Sequence, residues 1–291
     1  MPSESIYSYE VFDLNFISKG LKISELEEVN NSNKNKVYIE ECDASKWPKL
    51  DSGKYDTEFL QMKNDDLRLK VNGVGEFRII GGNTIFWSKE NKGVSDQDII
   101  IFMLGSAFGS ILIQRGTLVL HGNSLVKGNN AIICLGHSGF GKSTLAYALI
   151  EEGWKMLSDD LVALTPEFEI LPGIPTLKLW EDAVSNFNLK FDDLRPVRDG
   201  LNKYLYIPSS KQYSKNKFSV NSIYLLREEY SKKFDNVESF SINKIESDKR
   251  AVLILRNHSY RPRFIRGMGK EGSSFLKLID LQRKIPLQTL D

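Results

Sequence analysis

The chain has 291 residues, 41% hydrophobic and 26% charged, which is enough apolar material for a sizeable core and for two domains. A formal net charge of +1 gives no general attraction to nucleic acid or to an anionic membrane, and two cysteines, Cys42 and Cys134, exclude a disulfide framework or a cysteine metal cluster. The opening Met1-Pro2-Ser3-Glu4-Ser5 lacks the basic and apolar regions of a leader, and the apolar run near residues 99–104 is short for a bilayer span, so a cytoplasmic protein is expected.

In chain order, residues 1–94 read as a β-rich N-terminal region. Residues 6–14 and 37–39 are strand-like, and residues 67–71 alternate apolar and basic side chains, as a half-buried strand does. Residues 77–80 and 84–87 flank Gly81-Gly82-Asn83, a hairpin turn by composition, and residues 30–36 form a polar loop. Ser95-Asp96 can cap a helix that runs to about Gln114 and is apolar enough to be buried, so residues 95–115 are expected to connect two parts. The remainder, 116–291, reads as an α/β domain. It opens with strands at 117–120, 131–135, 154–157 and 161–164 and a helix after residue 142 in which Leu145, Ala148 and Leu149 share a face. Further on, residues 178–187 suggest a short amphipathic helix, residues 192–217 a polar segment suited to a substrate loop, and residues 222–226 a strand. Ser247-Asp248 caps another helix, residues 264–285 read as a closing helix, and residues 286–290 as an edge strand.

Within the α/β part, one stretch can be read as chemistry: Gly136-His137-Ser138-Gly139-Phe140-Gly141-Lys142-Ser143, followed by Thr144. Gly, four residues, Gly-Lys-Ser, placed between a strand and a helix start, is the pattern of a phosphate-binding P-loop. Its backbone N–H groups and the helix N-terminus favour an anion. Lys142 would reach the β- and γ-phosphates of ATP, and the Ser143 hydroxyl would ligate Mg²⁺. Asp159-Asp160 ends the next strand, where one carboxylate can hold Mg²⁺ and the other accept a proton from an attacking hydroxyl. His121, before Gly122, suits either a hydrogen-bonded structural role or proton transfer. Arg195 and Arg198 could reach a phosphate or be solvated. Arg256, His258, Arg261 and Arg263, with Arg266 beyond, could bind phosphate or an acidic peptide group, or complement a helix dipole.

The run from Leu118-Val119-Leu120-His121-Gly122 through residues 136–144 to Leu157-Ser158-Asp159-Asp160 resembles the catalytic domain of the HPr kinase/phosphorylase family, with 21 residues from His121 to Lys142 and 17 from Lys142 to Asp159. The match covers residues 115–165. It implies a P-loop, HPr-kinase-like and phosphoenolpyruvate-carboxykinase-like core, an ATP- and Mg²⁺-dependent serine kinase, Asp159 as general base, and Asp160 and His121 as supporting groups. The family's second glycine-rich signature is replaced by Pro172-Gly173-Ile174-Pro175-Thr176-Leu177-Lys178-Leu179-Trp180. That segment looks like HPr-kinase-related proteins of peptide tailoring, including lasso-peptide precursor kinases, and leaves kinase chemistry without an implied phosphorylase. A peptide or small protein bearing an acceptor serine is therefore the expected partner. A small-metabolite kinase, or a nucleotide-gated binding module without transfer, are the alternatives; the oligomeric state is open.

Overall fold

The computed structural model describes residues 5–48, 50, 55–198, 200–226 and 241–290. Met1–Glu4, read above as no leader, lie outside the described residues, as does Asp199 of the polar segment. The fold is mixed α/β, with three sheets among the described residues. The chain forms two compact units: the part up to Val119 together with Arg261–Ser274, and Leu120–Tyr260 with Phe275–Asp291. Their limits differ from the segments 1–94, 95–115 and 116–291, because the buried helix and a return segment both count with the N-terminal unit.

The N-terminal unit is an eight-stranded sheet in the order Ile6–Val11, Leu14–Lys19, Asn35–Glu41, Thr84–Lys89, Gly75–Ile80, Asp66–Val71, Leu60–Lys63 and Tyr55–Asp56. The expected single strand at 6–14 is two strands. Phe12 and Asp13 both take positive φ, 54° and 61°, as a tight two-residue hairpin turn requires, and Val11 faces Leu14. Residues 81–83 do close a hairpin, with Ile80 opposite Thr84. Helix Asp96–Gln114 lies on this sheet; Phe108 stacks on Phe16 at 3.9 Å. Its Gln114 side chain accepts from Gly82 N–H at 2.8 Å and donates to Ile79 C=O at 2.9 Å. Over its whole 19 residues, and not only residues 99–104, this helix is long and apolar enough to cross a bilayer; 67% of its apolar window is buried inside the protein, as in a core helix.

In the second unit the strand Gly122–Lys127 pairs antiparallel with Asn130–Leu135 on one side and Lys155–Asp159 on the other. Those two flanking strands therefore run the same way and end on the same side. Asn130–Leu135 pairs parallel with Phe218–Leu226, which pairs parallel with Leu287–Leu290. Leu287–Leu290 also pairs with Ile242–Lys244, so it is an inner strand and not the expected edge. Helix Lys142–Glu151 buries Ala146, Tyr147 and Ile150, while Leu145 and Leu149 are half-buried beside the same core. A small sheet of Leu177–Trp180, Lys203–Tyr206 and Arg195–Pro196 adjoins this helix.

Two expected helices differ. Residues 178–187 split into the strand Leu177–Trp180 and the helix Glu181–Asn186, because Leu177 and Leu179 alternate into the core with period two. Residues 264–285 split into Pro262–Gly267 and Glu271–Lys284, with Gly269 at φ 69° between them.

Candidate functional site

Three strand ends build the site. Gly122 faces Leu135, and Asn123 faces both Cys134 and Asp159 across the ladder. The start of the middle strand thus meets the carboxyl ends of its neighbours, from which the 136–143 loop and the Asp159-Asp160 pair emerge. Gly122 is required by packing: a Cβ there would lie 2.5 Å from Cys134 C=O, so only glycine lets the strands close at this point. Gly139 and Gly141 take left-handed φ of 90° and 80°, and Gly141 is the N-cap of helix Lys142–Glu151.

Lys142 is buried, 9% exposed, and its ammonium donates to Gly136 C=O at 2.8 Å and His137 C=O at 3.0 Å. The loop lysine is thus folded onto its own turn. Burial lowers its pKa, against the pull of Asp159 and Asp160. Asn123 Nδ2 donates to Lys142 C=O at 2.7 Å and ties the first turn of the helix to the middle strand. Asn123 Oδ1 and the neighbouring Ser124 hydroxyl are buried with no hydrogen-bond partner among the described residues. His137, Ser138 and Gly139 are exposed, while Phe140, Gly141, Ser143 and Thr144 are half-buried.

The two aspartates have opposite environments. Asp159 is 6% exposed; burial and then the Asp160 charge push its carboxyl up to about 7. Asp160 takes a left-handed φ of 63° and turns the chain out of the strand. Burial works against its ionisation too, but the Lys178 ammonium, 2.6 Å from Asp160 Oδ2, holds it below the usual carboxylate range. Lys178 also donates its backbone N–H to Asp159 Oδ2 at 3.2 Å. Both carboxylates are therefore held by one residue that the residue-by-residue reading did not include. The signal was present in the alternation Leu177-Lys178-Leu179-Trp180, which a helical reading of residues 178–187 obscured.

His121 Nδ1 lies 3.3 Å from Asp160 C=O, and the tautomer with its hydrogen on Nδ1 donates there. Burial lowers its pKa, so the ring is neutral near pH 7. His258 belongs to this neighbourhood: it is buried, its C=O accepts from His121 N–H at 2.6 Å, and its ring lies 5.1 Å from that of His137. Burial, helped by nearby His137, Lys142 and His121, pushes its pKa down to about 4.

The candidate substrate residues are divided between the two units. Arg256 ends helix Asp248–Asn257 in the second unit with His258, whereas Arg261 and Arg263 belong to the N-terminal unit. Arg261 has φ 44° and stacks 5.2 Å over the Phe264 ring, and Arg266 pairs with Glu271 at 3.6 Å. The segment 192–217 is tied down on the second unit. Met156 N–H donates to Gln212 C=O at 2.8 Å, and Tyr213 Oη donates to Gly173 C=O at 2.7 Å.

No protein-family model matches the chain, and no curated protein matches it. Among solved structures, it is similar to the HPr(Ser) kinase/phosphatase from Coxiella burnetii, at 15% identity and a TM-score of 0.24, over 59% of this chain and 83% of that one.

Proposed function

We propose that this protein is an ATP- and Mg²⁺-dependent kinase that phosphorylates a serine hydroxyl of a peptide or small protein in the cytoplasm. The observation that carries this reading is the convergence of a Gly-x₄-Gly-Lys-Ser turn, capping a ten-residue helix, with two unlike carboxylates at the end of a strand in the same sheet. The donor set fits magnesium. Ser143 and Asp160 offer hard oxygen ligands and few of them, which suits an ion that keeps waters and shares its shell with phosphates. When bound, Mg²⁺ would neutralise charge on the transferred phosphoryl group.

The chain's own residues divide the remaining work. Backbone N–H groups of residues 136–143 and the helix N-terminus hold the phosphates, and Lys142 exchanges its bonds to Gly136 and His137 carbonyls for phosphate oxygens. Asp159, whose carboxyl is basic enough to take a proton near neutral pH, removes the hydrogen from the acceptor hydroxyl as it attacks the γ-phosphate. Neutral His121 orients the Asp160 turn. The acceptor at a free peptide C-terminus, as in a lasso-type precursor, is the finer form of this reading.

The test is mass spectrometry of peptides encoded beside the gene after incubation with ATP, Mg²⁺ and the full chain. A gain of one phosphate on serine is expected. Binding of ATP without transfer to any acceptor would leave the nucleotide-gated binding module as the better account.

A further inference from the structure

We propose that Lys178 is a positioning residue of this site, the resident counter-ion of Asp160, and that a divalent cation must displace its ammonium to bind there. The inference rests on the nucleotide-binding reading above and deepens it by assigning a residue and a competition. Three observations carry it. Lys178 Nζ lies 2.6 Å from Asp160 Oδ2, a charge-assisted bond that occupies one oxygen of the proposed metal ligand. Its backbone N–H donates to Asp159 Oδ2 at 3.2 Å, so the strand that presents the ammonium also fixes the other carboxylate.

The third observation is the setting of Lys178 in its sheet. Leu177 and Leu179 are fully buried in the core, and Lys178 lies between them on the opposite face. Leu177–Trp180 is held by Lys203–Tyr206 along its whole length, from Leu177 opposite Tyr206 to Trp180 opposite Lys203. The backbone is thus fixed while the side chain, 26% exposed, has room to leave a carboxylate that is 31% exposed. Lys203 faces Trp180, the residue two along from Lys178, with its ammonium 5.1 Å from the Trp180 ring. The face that meets the carboxylates is therefore cationic.

A fixed strand that presents a partly exposed ammonium has a clear consequence. Without ligand the Asp160 carboxylate is paired internally, so free cations bind there only weakly. When a metal takes Asp160, the ammonium is released inside the site, still anchored at its Cα, where phosphate charge is to be offset.

The experiment measures Mn²⁺ binding to the nucleotide-free full-length chain by electron paramagnetic resonance, for wild type, Lys178→Met and Lys178→Arg, with thermal melts as a check on folding. Removing the ammonium should tighten Mn²⁺ binding by about fivefold to tenfold. Arginine, with its two-pronged grip on a carboxylate, should weaken it below wild type. A simple structural role for Lys178 would not move metal affinity in opposite directions. Should the Met variant fail to fold, the Arg variant decides: unchanged or tighter Mn²⁺ binding overturns the proposal. A folded Met variant with wild-type Mn²⁺ affinity overturns it equally. ATP binding by wild type in the presence of Mg²⁺ is measured alongside. Its absence overturns the kinase reading and this inference together, whereas ATP binding with unaltered Mn²⁺ affinities overturns the Lys178 assignment alone.

Discussion

At the scale of single residues, the unlike environments of Asp159 and Asp160 give the sharpest expectations. Asp159→Asn keeps the shape and the bond from Lys178 N–H but cannot take a proton. Phosphate transfer should fall about 10²-fold or more while ATP still binds, as measured by single-turnover kinetics beside equilibrium binding. The same substitution has a signature in stability. The Asp159 carboxyl ionises near 3.8 in the unfolded chain and near 7 in the folded one, so the fold holds an extra proton between these values. Its contribution is fully present below about pH 4 and is lost as pH rises through 7. The Asn variant should therefore gain stability relative to wild type from pH 5 to 8, on the order of 1 kcal/mol per pH unit at most, read from urea midpoints. A parallel pH dependence for both proteins would show that Asp159 is ionised throughout. Lys142 behaves differently from an exposed loop lysine, because it is buried and its ammonium donates to the Gly136 and His137 carbonyls. Lys142→Ala should weaken ATP binding by about tenfold to a hundredfold and also cost about 1 kcal/mol of stability. A calorimetric titration and a melt separate the two losses.

At the scale of elements, the loop and its flanking strand and helix were legible because glycine, lysine and hydroxyl spacing carries its own geometry. The Asp-Asp pair was legible because it ends an apolar run. The strand Leu177–Trp180 was not, since four alternating residues followed by Glu181-Asp182 fit a helix start as well as a strand end, and pairing with Lys203–Tyr206 decides the matter. The turn at Phe12-Asp13 was hidden for a related reason: neither residue is the glycine or asparagine that positive φ usually selects, so tertiary packing sets it. His258 read as part of a basic stretch, and the long-range bond from His121 N–H and the ring contact with His137 place it beside the loop. Gly122 offers a test at this scale. An added methyl would meet Cys134 C=O at 2.5 Å, so Gly122→Ala must push apart the strands that carry His121 and the 136–143 loop. Loss of ATP affinity together with a lower melting temperature is expected; a variant that binds ATP as wild type does would show that the strand ends can separate without disturbing the loop.

At the scale of the whole molecule, the two units are not consecutive in sequence, and this bears on how the chain can be divided. Residues 261–274 leave the second unit and complete the first. Helix Pro262–Gly267 packs on Phe108–Gln114 and on the strand Leu60–Lys63, and Lys270 pairs with Asp65 at 2.9 Å. Phe264, Ile265 and Met268 are each less than a tenth exposed. Burial of such side chains is worth about 1.5–3 kcal/mol apiece, and a fragment beginning at Leu120 would retain the three side chains while lacking the strand and helix they cover. The loop, the aspartates, Lys178, His121 and His258 all lie in that fragment, so by residue count alone it holds the whole candidate site. Residues 120–291 expressed alone should nevertheless bind an apolar-surface dye, elute as aggregates in gel filtration and melt without a sharp transition, and the full chain should do none of these. Replacing Phe264, Ile265 and Met268 by polar residues in the fragment should restore solubility, because the exposed apolar face is the cause. A fragment that elutes as a monomer, melts cooperatively and binds ATP with its apolar residues intact would show that the return segment adds nothing the second unit needs.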